Sequence, residues 1–339
     1  MQQDSTDDVD RGQYEGAVTP WEQPAWREAA LVWAEQGLAA HGLRATGRRK
    51  VRVRPWSVLV RLSVQGHGPV WFKANPPASS FEAALGEALA GWVPEHVLQP
   101  LAVDADRGWS LLPDGGTVFR DVLHNGPSDP RAWEEPLRQY AVMQRELIPY
   151  AEKLDMLGVP SARTAALPAA FDRLVDTNTA LEPAERAALR ALRPRFVEWC
   201  TELSDSGIRD SLDHSDLHEG QLFAREAGRF TFFDWGDSTV AHPFTSLLVT
   251  ARTARARYGP EVLPHLRDAY LEPWTGEGHS AVELRSAVSL ACRLGAIGRA
   301  CSWGRRFPGV YGDPGEVGAV GDADMARWLC ELLAEPMLQ

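Results

Sequence analysis

The chain has 339 residues, 44% of them hydrophobic and 24% charged, a globular composition that excludes a wholly disordered or fibrous protein. Its net charge of −11 argues against general nucleic-acid binding, which needs a basic surface, and against adhesion to anionic lipid. The length allows one large domain or two to three ordinary ones. Cys200, Cys292, Cys301 and Cys330 are far apart and form no CxxC pair, which suits reduced thiols rather than a disulfide framework or a zinc site. The N-terminus is polar and acidic, unlike a signal peptide, and no apolar run reaches the ~18 residues of a membrane span. The expectation is a cytoplasmic protein without nucleic-acid or membrane partners.

In chain order, residues 1–18 read as a flexible acidic tail carrying Asp4, Asp7, Asp8, Asp10 and Glu15. Residues 21–43 show helical spacing of Trp26, Ala29, Ala30, Trp33 and Leu38, closed by Gly42. Residues 44–54 hold six basic side chains and no acid, and read either as a solvated strand edge or as a phosphate-facing stretch. Residues 57–64 and 70–74 are β-rich strands around the turn Gln65-Gly-His-Gly-Pro69. A helix follows over 81–93, with Ser79 or Ser80 as its N-cap and Pro94 past its end. Residues 101–103 and 109–112 pair as another hairpin, ahead of the turn Pro113-Asp-Gly-Gly116.

Beyond about residue 117 the pattern becomes helical, over 129–157, 166–176, 183–205, 261–271, 282–305 and 322–338. One short hairpin, 222–224 with 229–233, interrupts it. The division expected is the tail, an N-terminal lobe over 19–113 and a helical lobe over 114–339, with a site in the crevice between lobes. The fold class is α+β.

The chemistry concentrates in Leu212-Asp-His-Ser-Asp-Leu-His-Glu-Gly-Gln-Leu-Phe223 and Phe232-Phe-Asp-Trp-Gly-Asp237. A loop presents the carboxylate of Asp216 and, five residues on, the carboxamide of Gln221; Asp234 follows at the end of the next strand, beside a tryptophan and a glycine. A carboxylate can accept a hydroxyl proton, while an amide oxygen and a second carboxylate are hard donors suited to Mg²⁺. Lys73, on a strand of the other lobe, suits nucleotide phosphates as a point charge.

This set resembles the aminoglycoside phosphotransferase and choline kinase superfamily of the protein-kinase-like fold, whose catalytic loop reads H-G-D-x-x-x-x-N and whose metal motif reads D-x-G or D-x-D. Here the corresponding runs are His214-Ser-Asp216-Leu-His-Glu-Gly-Gln221 and Asp234-Trp-Gly236. Lysine-bearing strand, helix, hairpin and catalytic loop come in the family's order over roughly residues 45–330. The resemblance implies a two-lobed fold, a small antiparallel sheet followed by a mainly helical lobe. It implies Asp216 as catalytic base, Gln221 and Asp234 as Mg²⁺ ligands, and Lys73 as the phosphate-binding lysine. Glu82, rather than Glu87, would pair with Lys73, and the backbone of Leu111, Leu112, Pro113 and Asp114 would form the nucleobase-reading hinge.

Each residue also has a plainer reading. Asp216 and Asp234 can be caps, Lys73 an ordinary edge-strand lysine, and Glu82 a favourable acid in a helix's first turn. His218 reads as a brace for the loop. Asp237 orders the loop or meets the acceptor, and Trp303 beside Arg305 and Arg306 is either packing or a stacking wall. Three departures stand out. Ser215 replaces the loop glycine, from which a backbone without positive φ is expected. Gln221 replaces asparagine, as in the similar loops of actinobacterial maltokinases and glucosamine kinases. His242-Pro243 stands where the family has Gly-Asp-Pro, so His242 is expected to cap that turn.

The resemblance implies a kinase that moves the γ-phosphoryl group of ATP or GTP, with Mg²⁺, to a hydroxyl of a small molecule. An aminoglycoside- or nucleoside-type antibiotic, with resistance as the outcome, is the first acceptor class; a metabolic sugar or aminosugar kinase and a nucleotide-binding pseudokinase are the alternatives.

Overall fold

The structure, a computed structural model, describes residues 7–126, 129–276, 278–307 and 314–338. Two compact units divide the chain: Met1–Gly115 with Arg305–Gly318, and Gly116–Gly304 with Ala319–Gln339.

The first unit contains β1 (Asp8–Asp10), α1 (Pro24–Ala40), β2 (Ala45–Arg54), β3 (Ser57–Val64), β4 (Val70–Ala74), α2 (Phe81–Trp92), β5 (Ala102–Asp104) and β6 (Trp109–Pro113). They build one six-stranded sheet in the order β1-β2-β3-β4-β6-β5, in which only the β1–β2 pair is parallel. Strand β3 alternates buried and half-buried positions, as a strand with one face on a core requires. Against that face lies α1. Its Trp26 and Trp33 meet Phe72 and Trp109 edge-to-face, with ring centroids 5.5–6.3 Å apart. Such pairs add roughly 0.5–1.5 kcal/mol each beyond the area they bury. Gly37 permits the close approach, since a Cβ there would stand 2.9 Å from Leu111 Cδ2.

The acidic segment expected to be a flexible tail is ordered from Asp7 onward; residues 1–6, with Asp4, lie outside the described residues. Asp8 to Asp10 pair in parallel with Lys50 to Arg52, Asp7 bonds Arg49 at 2.9 Å, and Asp10 bonds Arg54 at 2.9 Å. The basic stretch is therefore not an open edge: a strand of opposite charge covers it, and each run explains the other. The helix expected over 21–43 narrows to 24–40 because Pro24 sets its first turn. Ser80 does stand at the N-cap of α2, yet its hydroxyl donates to Pro77 O instead of capping the helix.

The second unit contains β7 (Thr117–Val118), α3 (Phe119–Asn125), α4 (Glu134–Leu147), α5 (Ala151–Met156), α6 (Leu167–Thr177) and α7 (Pro183–Ser204). It continues with β8 (Ser211–Asp213), β9 (Leu222–Ala224), β10 (Phe230–Phe232), β11 (Thr239–Ala241), α8 (Leu247–Tyr258), α9 (Leu263–Leu271) and α10 (Ala281–Ser302); the last helix, α11 (Pro314–Glu331), belongs to the first unit up to Gly318 and to the second from Ala319. Two small sheets interrupt the helices, β10-β9-β7 and β11-β8. The long helix expected over 129–157 is broken, because Pro149 has no N–H to continue the ladder and residues 148–150 form a 3₁₀ turn. Helix α8 was not expected; Thr250 and Thr253 dilute its apolar pattern. Capping boxes start α7 at Glu182 and α10 at Ser280. Among the described residues no helix is long and apolar enough to cross a membrane, and the four cysteines are free thiols.

Candidate active site

In the second unit, β8 delivers the chain to a sharp turn at His214, Ser215 and Asp216. Ser215 sits at φ +61°, the left-handed region that the sequence reading had excluded for it. The reason is local. Its backbone N–H donates to Asp213 Oδ1 at 2.8 Å and its hydroxyl to Asp213 Oδ2 at 2.9 Å, so two charge-assisted bonds hold a conformation that a serine alone disfavours. Because that hydroxyl donates to Asp213, its 3.2 Å contact with Thr239 is one in which it accepts.

Asp213 is the buried hub of this region and was missed in the sequence. Ser246 Oγ also donates to it, at 2.6 Å. Behind it lies a polar network inside an apolar core. The Gln144 amide donates to Leu212 O at 2.8 Å and Pro243 O at 3.1 Å, and Tyr270 donates to the Gln144 side-chain oxygen at 2.5 Å. The Tyr140 hydroxyl accepts from His214 N at 3.1 Å, and burial pushes its ionisation well up, so it stays neutral. Networks of this kind specify one arrangement because any broken member leaves a buried polar group unmet. His242 caps the turn after β11: its Nδ1 accepts from Phe244 N at 3.3 Å, and burial drives its pKa down to about 3.

The turn sets Asp216 among other charges, its side chain 19% exposed. Burial raises its pKa to about 7; Arg299 pulls the other way, and Asp237 and Asp234 push it further up. Arg299, near the end of α10, reaches Asp216 Oδ1 at 2.7 Å and Asp237 Oδ2 at 2.9 Å. Like Asp213 it is not legible in the sequence, since nothing in its own neighbourhood along the chain marks it. His218 braces the loop as expected: its Nδ1 accepts from Gly220 N at 2.9 Å and meets Arg120 Nη2 at 3.2 Å. Its Nε2 stands 3.8 Å from Asp216 Oδ2. Burial lowers its pKa to about 4, so the ring is neutral near pH 7. Gly220 leaves room for Arg120 and His218, which a Cβ there would push aside. Gln221 is buried, and its carbonyl accepts from Phe233 N at 3.1 Å, which brings Gln221 alongside Asp234. Asp234 adopts φ +68°, the sharp turn that ends the hairpin.

In the first unit, Lys73 Nζ bonds Glu82 Oε1 at 2.6 Å, with both side chains 8% exposed. Glu87 is exposed on α2 and takes no part. Asn75, unremarked in the sequence, donates to the other oxygen of Glu82 and to Ser79 O, so the carboxylate is held on both sides. Leu111, Leu112 and Pro113 are the end of β6, paired with Phe72, Trp71 and Val70. Leu111 is fully buried, so only its backbone can meet a ligand; Leu112 and Pro113 are half-buried and Asp114 exposed.

No protein-family model matches the sequence, and no curated protein matches it significantly. Solved structures do resemble the fold. An ethanolamine kinase of Plasmodium vivax superposes with a TM-score of 0.61 at 12% identity, covering 95% of this chain and 90% of that one. Macrolide 2'-phosphotransferase type I gives 0.55 at 17% identity, covering 91% and 98%. The GDP and kanamycin complex of APH(2")-IIia gives 0.53 at 15% identity, covering 84% and 92%. The chain therefore has the protein-kinase-like α+β fold that these small-molecule kinases and phosphotransferases share.

Proposed function

We propose that the protein is a Mg²⁺-dependent kinase that transfers the γ-phosphoryl group of ATP or GTP to a hydroxyl of a small molecule. The observation that carries this reading is the turn at Ser215, which turns Asp216 out of a buried hydrogen-bonded hub and onto the wall shared with Gln221 and Asp234. In the reaction, Asp216 orients the acceptor hydroxyl and takes its proton. The new bond forms between that oxygen and the γ-phosphorus as the bond from phosphorus to the β-bridging oxygen breaks, giving nucleoside diphosphate and a phosphate ester. Lys73, fixed by Glu82 and Asn75, steadies the nucleotide phosphates, and the backbone of Leu111, Leu112 and Pro113 reads the base.

The donor set fits a hard divalent ion. The backbone bond from Phe233 N to Gln221 O sets Gln221 beside Asp234, and an amide oxygen and a carboxylate are both hard donors. Among the described residues no group of three His, Cys, Asp or Glu is placed to hold a metal alone. The ion would rest on Gln221 and Asp234, keeping waters and phosphate oxygens as its other ligands. When bound, Mg²⁺ neutralises phosphate charge.

An antibiotic, aminoglycoside- or nucleoside-type, is the acceptor class proposed, with resistance as the outcome. The test is nucleotide turnover with ATP and GTP across aminoglycosides, nucleoside antibiotics and sugars. Acceptor-dependent turnover that Asp216→Asn abolishes is the expected result. Unchanged turnover in that variant removes Asp216 as the base, and response to sugars alone selects the metabolic reading.

A further inference from the structure

Asp216, the proposed base, and Asp237 are both engaged by one residue of this chain. The Arg299 guanidinium, 11% exposed, spans Asp216 Oδ1 at 2.7 Å and Asp237 Oδ2 at 2.9 Å. It also donates to Ser302 Oγ at 3.0 Å and lies 5.7 Å from the Trp303 ring centroid. Its Nε is buried without a hydrogen-bond partner among the described residues, so the group is held through its two terminal nitrogens. A planar guanidinium that bridges two carboxylates fixes both of them, which an ammonium cannot do.

We infer, resting on the kinase reading above, that Arg299 is a positioning residue for Asp216 and that it bars ammonium groups from the acceptor wall, so the compound phosphorylated here carries no cationic group beside its reacting hydroxyl. With Oδ1 tied to Arg299, Oδ2 is the oxygen assigned to the acceptor; His218 Nε2 stands 3.8 Å from it, beyond hydrogen-bonding distance. An acceptor bearing ammonium groups needs free carboxylates on this wall. Instead it meets a positive charge whose neutralising partners are Asp216 and Asp237. Of the acceptor classes proposed, this favours the nucleoside-type antibiotic over the aminoglycoside.

Two arms test it on the full-length chain. In the first, kanamycin serves as a polyammonium probe in titration calorimetry. The wild type should show no saturable binding in the millimolar range. Arg299→Ala, by freeing two carboxylates, should gain a salt-sensitive site that a further Asp237→Asn removes. In the second arm, the acceptor that supports Asp216-dependent turnover is assayed with Arg299→Ala, Arg299→Gln and Arg299→Lys. A general base contributes about 10²–10⁴-fold, and a mis-set Asp216 should lose about 100-fold in kcat. The KM for nucleotide should hold, and lysine should recover part of the loss. Circular dichroism verifies that each variant is folded, and Arg299→Gln, nearer in shape, replaces Arg299→Ala if the latter is not. Kanamycin binding by the wild type that Asp237→Asn weakens overturns the inference, as does a folded Arg299→Gln with unchanged kcat. Turnover that survives Asp216→Asn overturns the kinase reading instead, and the calorimetric arm still decides what Arg299 excludes.

Discussion

Ser215 offers the sharpest test of how this site is held, because two substitutions there remove the same hydroxyl and differ only in what they ask of the backbone. Both Ser215→Ala and Ser215→Gly delete the bond to Asp213 Oδ2 and leave the Thr239 hydroxyl without its acceptor. A hydrogen bond to a charged group contributes roughly 1.5–3 kcal/mol, so each variant loses about 2 kcal/mol from this source. At φ +61° alanine keeps the left-handed penalty of about 1–2 kcal/mol that serine already carries. Glycine sheds it, at the cost of roughly 0.5–1 kcal/mol in unfolded-chain freedom. Ser215→Ala should therefore be about 2 kcal/mol less stable than the wild type, and Ser215→Gly should recover up to about 1 kcal/mol of that. At roughly 2–4 °C per kcal/mol, thermal unfolding should place alanine about 4–8 °C below the wild type and glycine above alanine. Turnover should follow the same order. Alanine equal to or better than glycine in both measurements would refute the claim that a left-handed turn tethered to Asp213 presents Asp216.

Three further outcomes follow from the structure. Lys73→Met removes the 2.6 Å ion-pair partner of the buried Glu82 carboxylate and should cost roughly 1.5–3 kcal/mol while raising the KM for nucleotide; a stable variant with unchanged KM contradicts the pairing. His242 has a folded pKa of about 3 against an ordinary 6.5, so between those values only the unfolded chain takes its proton and stability falls as pH drops below 6.5. At about 1.36 kcal/mol per pH unit, this amounts to about 2 kcal/mol between pH 6.5 and 5. His242→Asn keeps a capping oxygen and lacks the proton acceptor, so its Tm should draw closer to the wild type's as pH falls; parallel Tm curves would rule the account out. Gly220→Ala drives a methyl into Arg120 and His218, and should reduce turnover while shifting Tm by only a few degrees, since Arg120 is partly exposed and can move; unchanged turnover would show that the His218 brace is not needed.

What was legible in the sequence shares one property: the chemistry demands a residue type at a fixed spacing along the chain. The roles proposed for Asp216, Gln221 and Asp234 rest on such spacing, and so does the pairing of Lys73 with Glu82, nine residues later on the following helix, which the structure shows. The strands and most helices were legible too, because burial on one face imposes period two or period 3.6. Asp213 and Arg299 were not. Asp213 acts through three hydrogen bonds, and one of their donors, Ser246, lies 33 residues away. Arg299 reaches Asp216 from a helix that begins 65 residues after it, and an arginine in a helix's last turn has an ordinary explanation as a partner for the helix dipole.

The error at Ser215 shows where motif reasoning stops. The substitution of serine for glycine was read as a change of backbone, on the ground that positive φ belongs to glycine. The left-handed backbone is present all the same, and serine holds it by its own means. A glycine adopts the turn without a penalty, whereas serine supplies a hydroxyl that anchors the turn to a buried carboxylate and thereby offsets its own strain. The same substitution of means occurs at His242, where a ring nitrogen caps the turn that the family's aspartate would serve, and Asp213 is the buried carboxylate that receives Ser246 from that turn. A turn can thus be held without the residue that a motif leads one to expect when a neighbour within hydrogen-bonding distance supplies the anchor. Such exchanges are found by asking where each buried donor goes, not by matching letters.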